Sequence, residues 1–316
     1  MPEKDRPGPA LLLIVAMVML SGLFFRFYQL PGQILVDDEW HAVHQITAFG
    51  YLDIFTDFGV ADHCIPLSLF YEFLLNNLWI SEFLLRLPAV AAGFLALLII
   101  PLMLAKPIGT KAALVTACLL AISPLHVFYS RLARPYAISM LLSFIAVMAF
   151  YYWWTGKGKG WMGVYLAAGV FSTWFLLPSL PFVGAPFVFA LLHGISRRET
   201  GDAFRRLLPP GITFTLGLII LLLPPFFSNP EALLGKAGRE TVTLHSLSGS
   251  LELFAGTSHL WLVAIMVILA SVGFISLLKK NRLFALYILS LVLIQLACFF
   301  AAAPVGSSMS ILLNRY

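Results

Sequence analysis

Apolar runs of 17 to 21 residues recur along this chain, separated by short polar stretches. They cover residues 10–27, 88–105, 112–130, 135–154, 161–177, 178–194, 208–227, 258–278 and 283–303. A helix needs about 20 apolar residues to cross the hydrocarbon layer of a bilayer, and runs of 17 or 18 sit at the short end of that range. No segment shows the alternation over about ten residues that marks a membrane β-barrel strand. The pattern predicts an all-α, polytopic integral membrane protein of about nine transmembrane helices, forming a single domain over 1–316.

A tenth apolar stretch, 64–80, contains Glu72, Asn76 and Asn77, which are costly in lipid. The basic loops decide how to read it. Lys and Arg cluster in 106–111, 155–160, 196–206 and 279–282. If 64–80 does not span, these loops share the cytoplasmic side with Lys4 and Arg6, and 13 of the 20 basic residues lie inside. If it does span, all four loops move outside. The stretch is therefore expected to be an interfacial or re-entrant helix within a large outer loop, 28–87. A second outer loop follows at 228–257. The N-terminus is then cytoplasmic, and 8 of the 15 acids lie outside between residues 37 and 82.

Composition agrees with this picture. The chain is 60% hydrophobic and 11% charged, against about 25% charged residues in soluble domains. Mean hydropathy is +0.92. The net charge of +5 does not point to nucleic acid, because topology accounts for the basic residues. Cys64, Cys118 and Cys298 show no metal-like or disulfide-like spacing. Residues 10–25 lack a clear cleavage site and read as an uncleaved signal anchor.

Against so little charge, "VDDEWHAVHQI" stands out: Asp37, Asp38 and Glu39 in succession. Trp40, Val43 and Ile46 recur every three positions, so a helix follows, and one acid can cap it. A cap explains one acid; a catalytic base or a cation ligand would explain the others. His41 and His44 share a helix face and could join Glu39 around a divalent cation, although two His without a strong third ligand make a weak metal signal. Asp62 and His63 open the segment 64–80 and read as a polar turn or as a cluster facing the acids. Arg86 lies at the mouth of the second span, as an anchor or as a phosphate ligand. "FYSRLARPYA" packs Arg131 and Arg134 beside Tyr129 and Tyr136 in a tight corner before Pro135. Two cations on the outer side oppose the positive-inside trend and favour anion binding. Acids and arginines at one membrane boundary suit a hydroxyl nucleophile attacking a lipid-linked phosphate ester: the acid takes the proton and the arginines neutralise the leaving phosphate.

These segments resemble the GT-C superfamily of glycosyltransferases that use polyprenyl-phosphate sugars, in the branch of protein O-mannosyltransferases, lipid A aminoarabinose transferases and lipopolysaccharide core transferases. "VDDEW" is similar to the family's Asp-Glu in the first outer loop, which implies Asp38 as base and Glu39 as its neighbour. "DHCIPL" resembles a His-Pro-Pro segment, with Cys64 and Ile65 departing from it. "RLPAVAAG" resembles the Arg-x-Pro start of the second span, which carries Arg86. "SRLARPYA" resembles a segment ending in Ala-Arg-x-Tyr, which carries Arg134 and Tyr136. "NRY" at the end resembles an Arg-Tyr, with Arg315, that further helices follow in relatives; the chain is expected to lack a C-terminal part. "FSTWFL" departs from the polar patch that relatives carry in the fifth span.

The resemblance implies an inverting transferase of the bacterial inner membrane, acting on its outer face. A sugar passes from a polyprenyl-phosphate donor to a lipid, glycan or protein hydroxyl. Asp38 and Glu39 are the catalytic pair; Arg134, Arg131, Arg86, Tyr136 and Arg315 hold the donor phosphate; His63, Asp62 and His41 support them. The resemblance fixes no cofactor, and a divalent cation stays open. The alternatives are a transporter or flippase for a lipid-linked or anionic substrate, and a non-catalytic truncated paralogue.

Overall fold

The computed structural model describes residues 9–36, 38–58, 64–234, 240, 242–303 and 309, and among these every regular element is a helix. Asp37, Asp62, His63 and Arg315 lie outside the described residues. Helix α1 (Pro9–Phe27) leads through a 3-10 turn at Leu30–Gly32 into an irregular segment, 33–36. Three short helices follow: α2 (Glu39–Ala48), α3 (Tyr51–Thr56) and α4 (Ile65–Asn77). Helix α5 (Glu82–Ile108) starts where the Ser81 hydroxyl accepts from Leu84 N, with Glu82 in the positive first turn. Helices α6 (Thr110–Ile122) and α7 (Pro124–Ser130) meet at a 62° bend. Ser123 caps α7 there, and Pro124 takes the first helical position, where its missing N–H costs nothing. A corner at 131–135 turns the chain into α8 (Tyr136–Trp154) and α9 (Gly160–Phe175). The remainder is α10 (Leu180–Ser196), α11 (Thr200–Ser228), α12 (Pro230–Leu234), α13 (Leu244–Ala255), α14 (Leu260–Lys280) and α15 (Arg282–Ala302).

Among the described residues, seven helices are long and apolar enough to cross a membrane, or eight if α6 and α7 form one bent span. The fold is that of a polytopic α-helical membrane protein. Of the nine expected spans, 161–177 falls below that length, although α9 still runs from the basic end to the loop end, where Trp174 meets Phe55 of α3. There α9 has only 16 residues and stops at Phe175, because Leu176 turns extended (φ −151°, ψ 100°) into a 3-10 turn at Leu177–Ser179. The apolar stretch 64–80 forms α4, whose 13 residues reach about 20 Å at 1.5 Å per residue, too short for a bilayer core of about 30 Å.

The four basic loops gather at one end of the bundle. Lys280 Nζ donates to Ile108 O (3.0 Å) and Asn281 Nδ2 to Pro107 O (3.3 Å). Arg206 Nη2 donates to Trp153 O (2.7 Å) and lies 4.4 Å over the Trp153 ring. The 27 residues of α5 separate this end from α2–α4.

The main core joins α8, α9, α10 and α15 around Phe150, Tyr165, Phe284 and Tyr287, all fully or almost fully buried. Their phenols are satisfied by carbonyls across helices: Tyr165 to Val183 O (2.9 Å) and Tyr287 to Val147 O (2.6 Å). Small residues let backbones approach elsewhere, as Ala89, Ala92 and Ala96 of α5 do against Ala137 of α8. Helices α2–α4 have their own core of Ala42, Ile46, Ile54, Leu67 and Tyr71, which closes over Leu85 and Ala133. Tyr71 donates to Leu85 O (2.8 Å) and so docks this cap on α5.

Gly93 is the tightest of these approaches. A Cβ there would lie 2.0 Å from Ser130 Oγ, so the side chain that α7 places against α5 leaves room for hydrogen alone. Gly93→Ala is expected to lower stability by about 1–3 kcal/mol through overpacking, read as a lower melting temperature in detergent. Adding Ser130→Gly should recover part of the loss.

Candidate functional site

The sequence puts a carboxylate at residue 39, an arginine at 86 and a helix-breaking corner at 131–135; the fold joins them at one point. Arg86 Nε donates to Glu39 Oε1 (2.9 Å) and Arg86 Nη2 to Glu39 Oε2 (2.6 Å), a two-pronged pair with both side chains 0% exposed. Glu39 Oε1 also accepts from Ala133 N (2.6 Å), and Oε2 from Val36 N (3.0 Å). Arg86 turns its other edge to the irregular segment: Nη1 donates to Gln33 O and Nη2 to Ile34 O (2.8 Å). Segment 33–36 belongs to no helix and no sheet, so its backbone groups need partners from side chains. The ion pair supplies them. Helix dipoles favour the arrangement as well, since Glu39 sits in the first turn of α2, where negative charge is stabilised.

This geometry separates the roles of the acids and arginines. Both Glu39 oxygens are saturated inside the protein, so Glu39 has no edge for a substrate proton. Arg86 is equally enclosed and presents no donor to an outside phosphate. Arg131 ties the corner to the end of α1: Nη2 donates to Tyr28 O (2.9 Å) and Gln33 Oε1 (3.2 Å), and Nη1 to Phe25 O (3.3 Å). It also borders an open cleft of about 850 Å³ with Gln29, Gln33 and Phe128.

Asp38 and Arg134 stand differently. Each is the chain neighbour of a residue in the buried junction, Glu39 and Ala133, and the junction brings them together. Arg134 Nη1 donates to Asp38 O (3.3 Å). Its guanidinium lies 5.9 Å from the centre of the Tyr136 ring, which packs edge-on against Tyr129 at 5.1 Å. Asp38 occupies the N-cap position of α2 in a helical conformation, with no side-chain capping bond. Its carboxylate keeps 25% exposure, and Oδ1 lies 3.8 Å from His41 Nε2. His44 packs on Trp40 instead. Among the described residues no three His, Cys, Asp or Glu side chains gather into a metal-binding group.

Tyr136 also borders a second cavity of about 780 Å³ between α6–α8 and α13–α15, with Met140, Phe144, Phe254 and Met266 in its largely apolar wall. Sequence inspection missed two polar residues near it. Arg26, in the last turn of α1, is fully buried, and its Nη2 lies 2.6 Å from His126 Nδ1. Its signal in the sequence was an arginine at the end of the first apolar run. His126, hidden between Leu125 and Val127, had none.

No known protein family, no curated protein and no solved structure matches this chain.

Removing one partner of a buried pair leaves a stranded charge and costs about 3–5 kcal/mol. Glu39→Gln or Arg86→Met should therefore abolish monodisperse elution in detergent. The double variant should fare no better than either single one. It removes both charges but leaves Gln33 O and Ile34 O without their donor, and offers Val36 N and Ala133 N one acceptor oxygen where there were two.

Proposed function

We propose that this protein is a membrane glycosyltransferase of GT-C type, which moves a sugar from a polyprenyl-phosphate donor to a hydroxyl group of a lipid, glycan or protein. The observation that carries the proposal is the Asp38–Arg134 juxtaposition. Buried Arg134 meets the main chain of Asp38, whose carboxylate is partly exposed, at the helix boundary, next to a cavity with an apolar wall. On this reading Asp38 takes the proton of the acceptor hydroxyl while the new bond to the anomeric carbon forms. The bond between that carbon and the phosphate oxygen breaks, and the electron pair leaves with the phosphate. Arg134 stabilises that charge, and the Tyr136 ring holds the guanidinium in place. Arg131, Arg86 and Glu39 act through the scaffold: they fix segment 33–36 and the corner, and so set the distance between base and arginine. On this reading the site faces the outside of the bacterial inner membrane and the basic end the cytoplasm, which the positive-inside bias of the loops supports.

Asp38→Asn should cut transfer by about 100-fold or more, the scale of a lost general base, while the protein still inserts and elutes as wild type. The measurement is mass-spectrometric comparison of cell-surface glycans with and without the gene, complemented by each variant. Unchanged glycans on complementation with Asp38→Asn would remove Asp38 from the reaction. Movement of a lipid-linked sugar across vesicles without covalent product would assign transport instead.

Orientation has its own test. With the native cysteines replaced, Trp79→Cys should react with a membrane-impermeant thiol reagent added outside, and Lys157→Cys only after the membrane is opened. The reverse pattern would place the site on the cytoplasmic side.

A further inference from the structure

The hairpin of α10 and α11 is tight where its helices join, at the basic end, and open further in. Gly194 lets the two helices touch there: a Cβ on it would lie 2.5 Å from the Cβ of Ala203. Earlier on α10, a Cβ on Gly184 would meet no atom within 4 Å. The space between is a groove of about 510 Å³, with Gly184, Phe187 and Leu191 on one wall and Leu208, Ile212 and Leu216 on the other. Those last three side chains are each about half exposed, so the protein leaves the groove unfilled. From Phe204 to Leu216 it runs about 18 Å along α11 at 1.5 Å per residue. One leaflet contributes about half of a hydrocarbon core of about 30 Å.

Charge sits at the closed end. The hairpin sequence SRRETGDAFRR carries four arginines and two acids. Arg206 is committed elsewhere: it donates to Trp153 O and lies over the Trp153 and Trp154 rings. Arg205 belongs to another face of α11. It stands three, seven and eleven residues before Leu208, Ile212 and Leu216, the spacing of one helix stripe, so it crowns the open wall of the groove. Arg205 is exposed, and among the described residues neither Glu199 nor Asp202 forms an ion pair. Arg198 follows the end of α10. Its N–H donates to Ile195 O (3.0 Å) and the next N–H to Gly194 O (2.9 Å), the closing pattern whose left-handed residue is usually glycine. Arg198 holds φ 60° there, a conformation that a Cβ disfavours. Glycine would close the helix without that strain; what arginine adds is a charge at the hairpin.

We propose that this groove binds an anionic phospholipid of the leaflet at the basic end, with one acyl chain along Leu208, Ile212 and Leu216 and the headgroup on Arg205 and Arg198. The site is separate from Asp38 and from the cavity beside Tyr136, and it stands whether or not the chain is a transferase. Length selects the occupant first. A membrane helix of a partner needs about 30 Å to cross the core, and this groove ends after one leaflet. Charge selects it next. A second copy inserted the same way would bring basic end against basic end, whereas an anionic headgroup complements the arginines. The headgroup follows from the same chemistry. A guanidinium fork binds phosphate oxygens, while a choline headgroup brings its own cation to the same place.

The test uses the purified full chain in phosphatidylcholine nanodiscs doped with a phosphatidylglycerol that carries a diazirine on one acyl chain. Photolabelling should map to Leu191, Leu208 or Ile212. It should exceed labelling by a phosphatidylcholine probe with the same chains by about fivefold or more, the scale of one arginine at a membrane surface. Arg198→Gly and Arg205→Gln should each lower it by about fivefold. Arg198→Gly has a second readout. In phosphatidylcholine alone its melting temperature should equal or exceed that of wild type, because glycine suits φ 60°. Added phosphatidylglycerol should raise the melting temperature of wild type and raise that of the variant less. Gly184→Leu fills the open floor and leaves the charges in place. It should lower labelling by about tenfold, the scale of two methylenes kept out of the groove. The proposal is overturned by equal labelling with the phosphatidylcholine probe, or by labelling of the exposed α14 as strong as that of the groove. Unchanged labelling of both Arg198→Gly and Arg205→Gln would overturn it too. So would displacement of the probe by glycerol 3-phosphate at the probe's own concentration, which would leave a site for the ion alone.

Discussion

Glu39 and Arg86 meet where neither water nor lipid can reach them, and the rest of the loop end is arranged around that contact. A buried ion pair is stable only when every remaining lone pair and proton finds a partner. Here the partners come from two separate stretches of backbone, segment 33–36 and the corner before α8, while α5 supplies the arginine itself. The pair therefore does more than neutralise two charges. It gives an irregular segment the hydrogen bonds that a helix or sheet would otherwise supply. It also holds the first loop, α5 and the arginine corner in one register.

That register explains how adjacent residues of like chemistry come to different positions. Glu39 and Asp38 are neighbours, as are Ala133 and Arg134. With Glu39 bonded to Ala133 N, the guanidinium of the following arginine reaches the main-chain carbonyl of the preceding acid. One residue of slip would bury Asp38 and expose Glu39. The two arginines of the corner divide in the same way: Arg131 points back to the carbonyls at the end of α1, and Arg134 points to Asp38 and Tyr136.

A second buried cation, Arg26, lies below this junction and shows the same logic with different partners. Its guanidinium is accommodated by glycine on two helices, by Gly22 O one turn back on α1, and by Leu120 O in the last turn of α6, which has no N–H to accept from at Pro124. The bend between α6 and α7 matters here. It frees Leu120 O from a continuing helix and turns His126 toward α1. Ser130, one turn later, donates to His126 O (2.6 Å) and fills the space left by Gly93. The corner is thus held from above by an ion pair and from below by an arginine that has no acid partner among the described residues.

The apolar runs by themselves determined that the chain is helical and polytopic, because a period-free stretch of about 20 apolar residues has few other stable forms in a bilayer. Loop charge also singled out 64–80 as a non-spanning segment, and its 13-residue helix agrees. The residues that mattered at the loop end, Asp38, Glu39, Arg86, Arg131 and Arg134, were visible as charges where charge is scarce. Their partners were not visible. Hydropathy measures each residue's cost in lipid, not the distance between residues 39, 86 and 133, which are far apart in the chain. Nor could it find the break at Leu176, where a change in backbone angles shortens an apolar run without changing its composition. His126 had no sequence signal at all, since one histidine in an apolar stretch looks the same with or without an arginine against its ring. The tertiary structure decided which charges are sealed into the scaffold and which stand at its edge. Only packing determines whether a polar group finds its partner inside the protein.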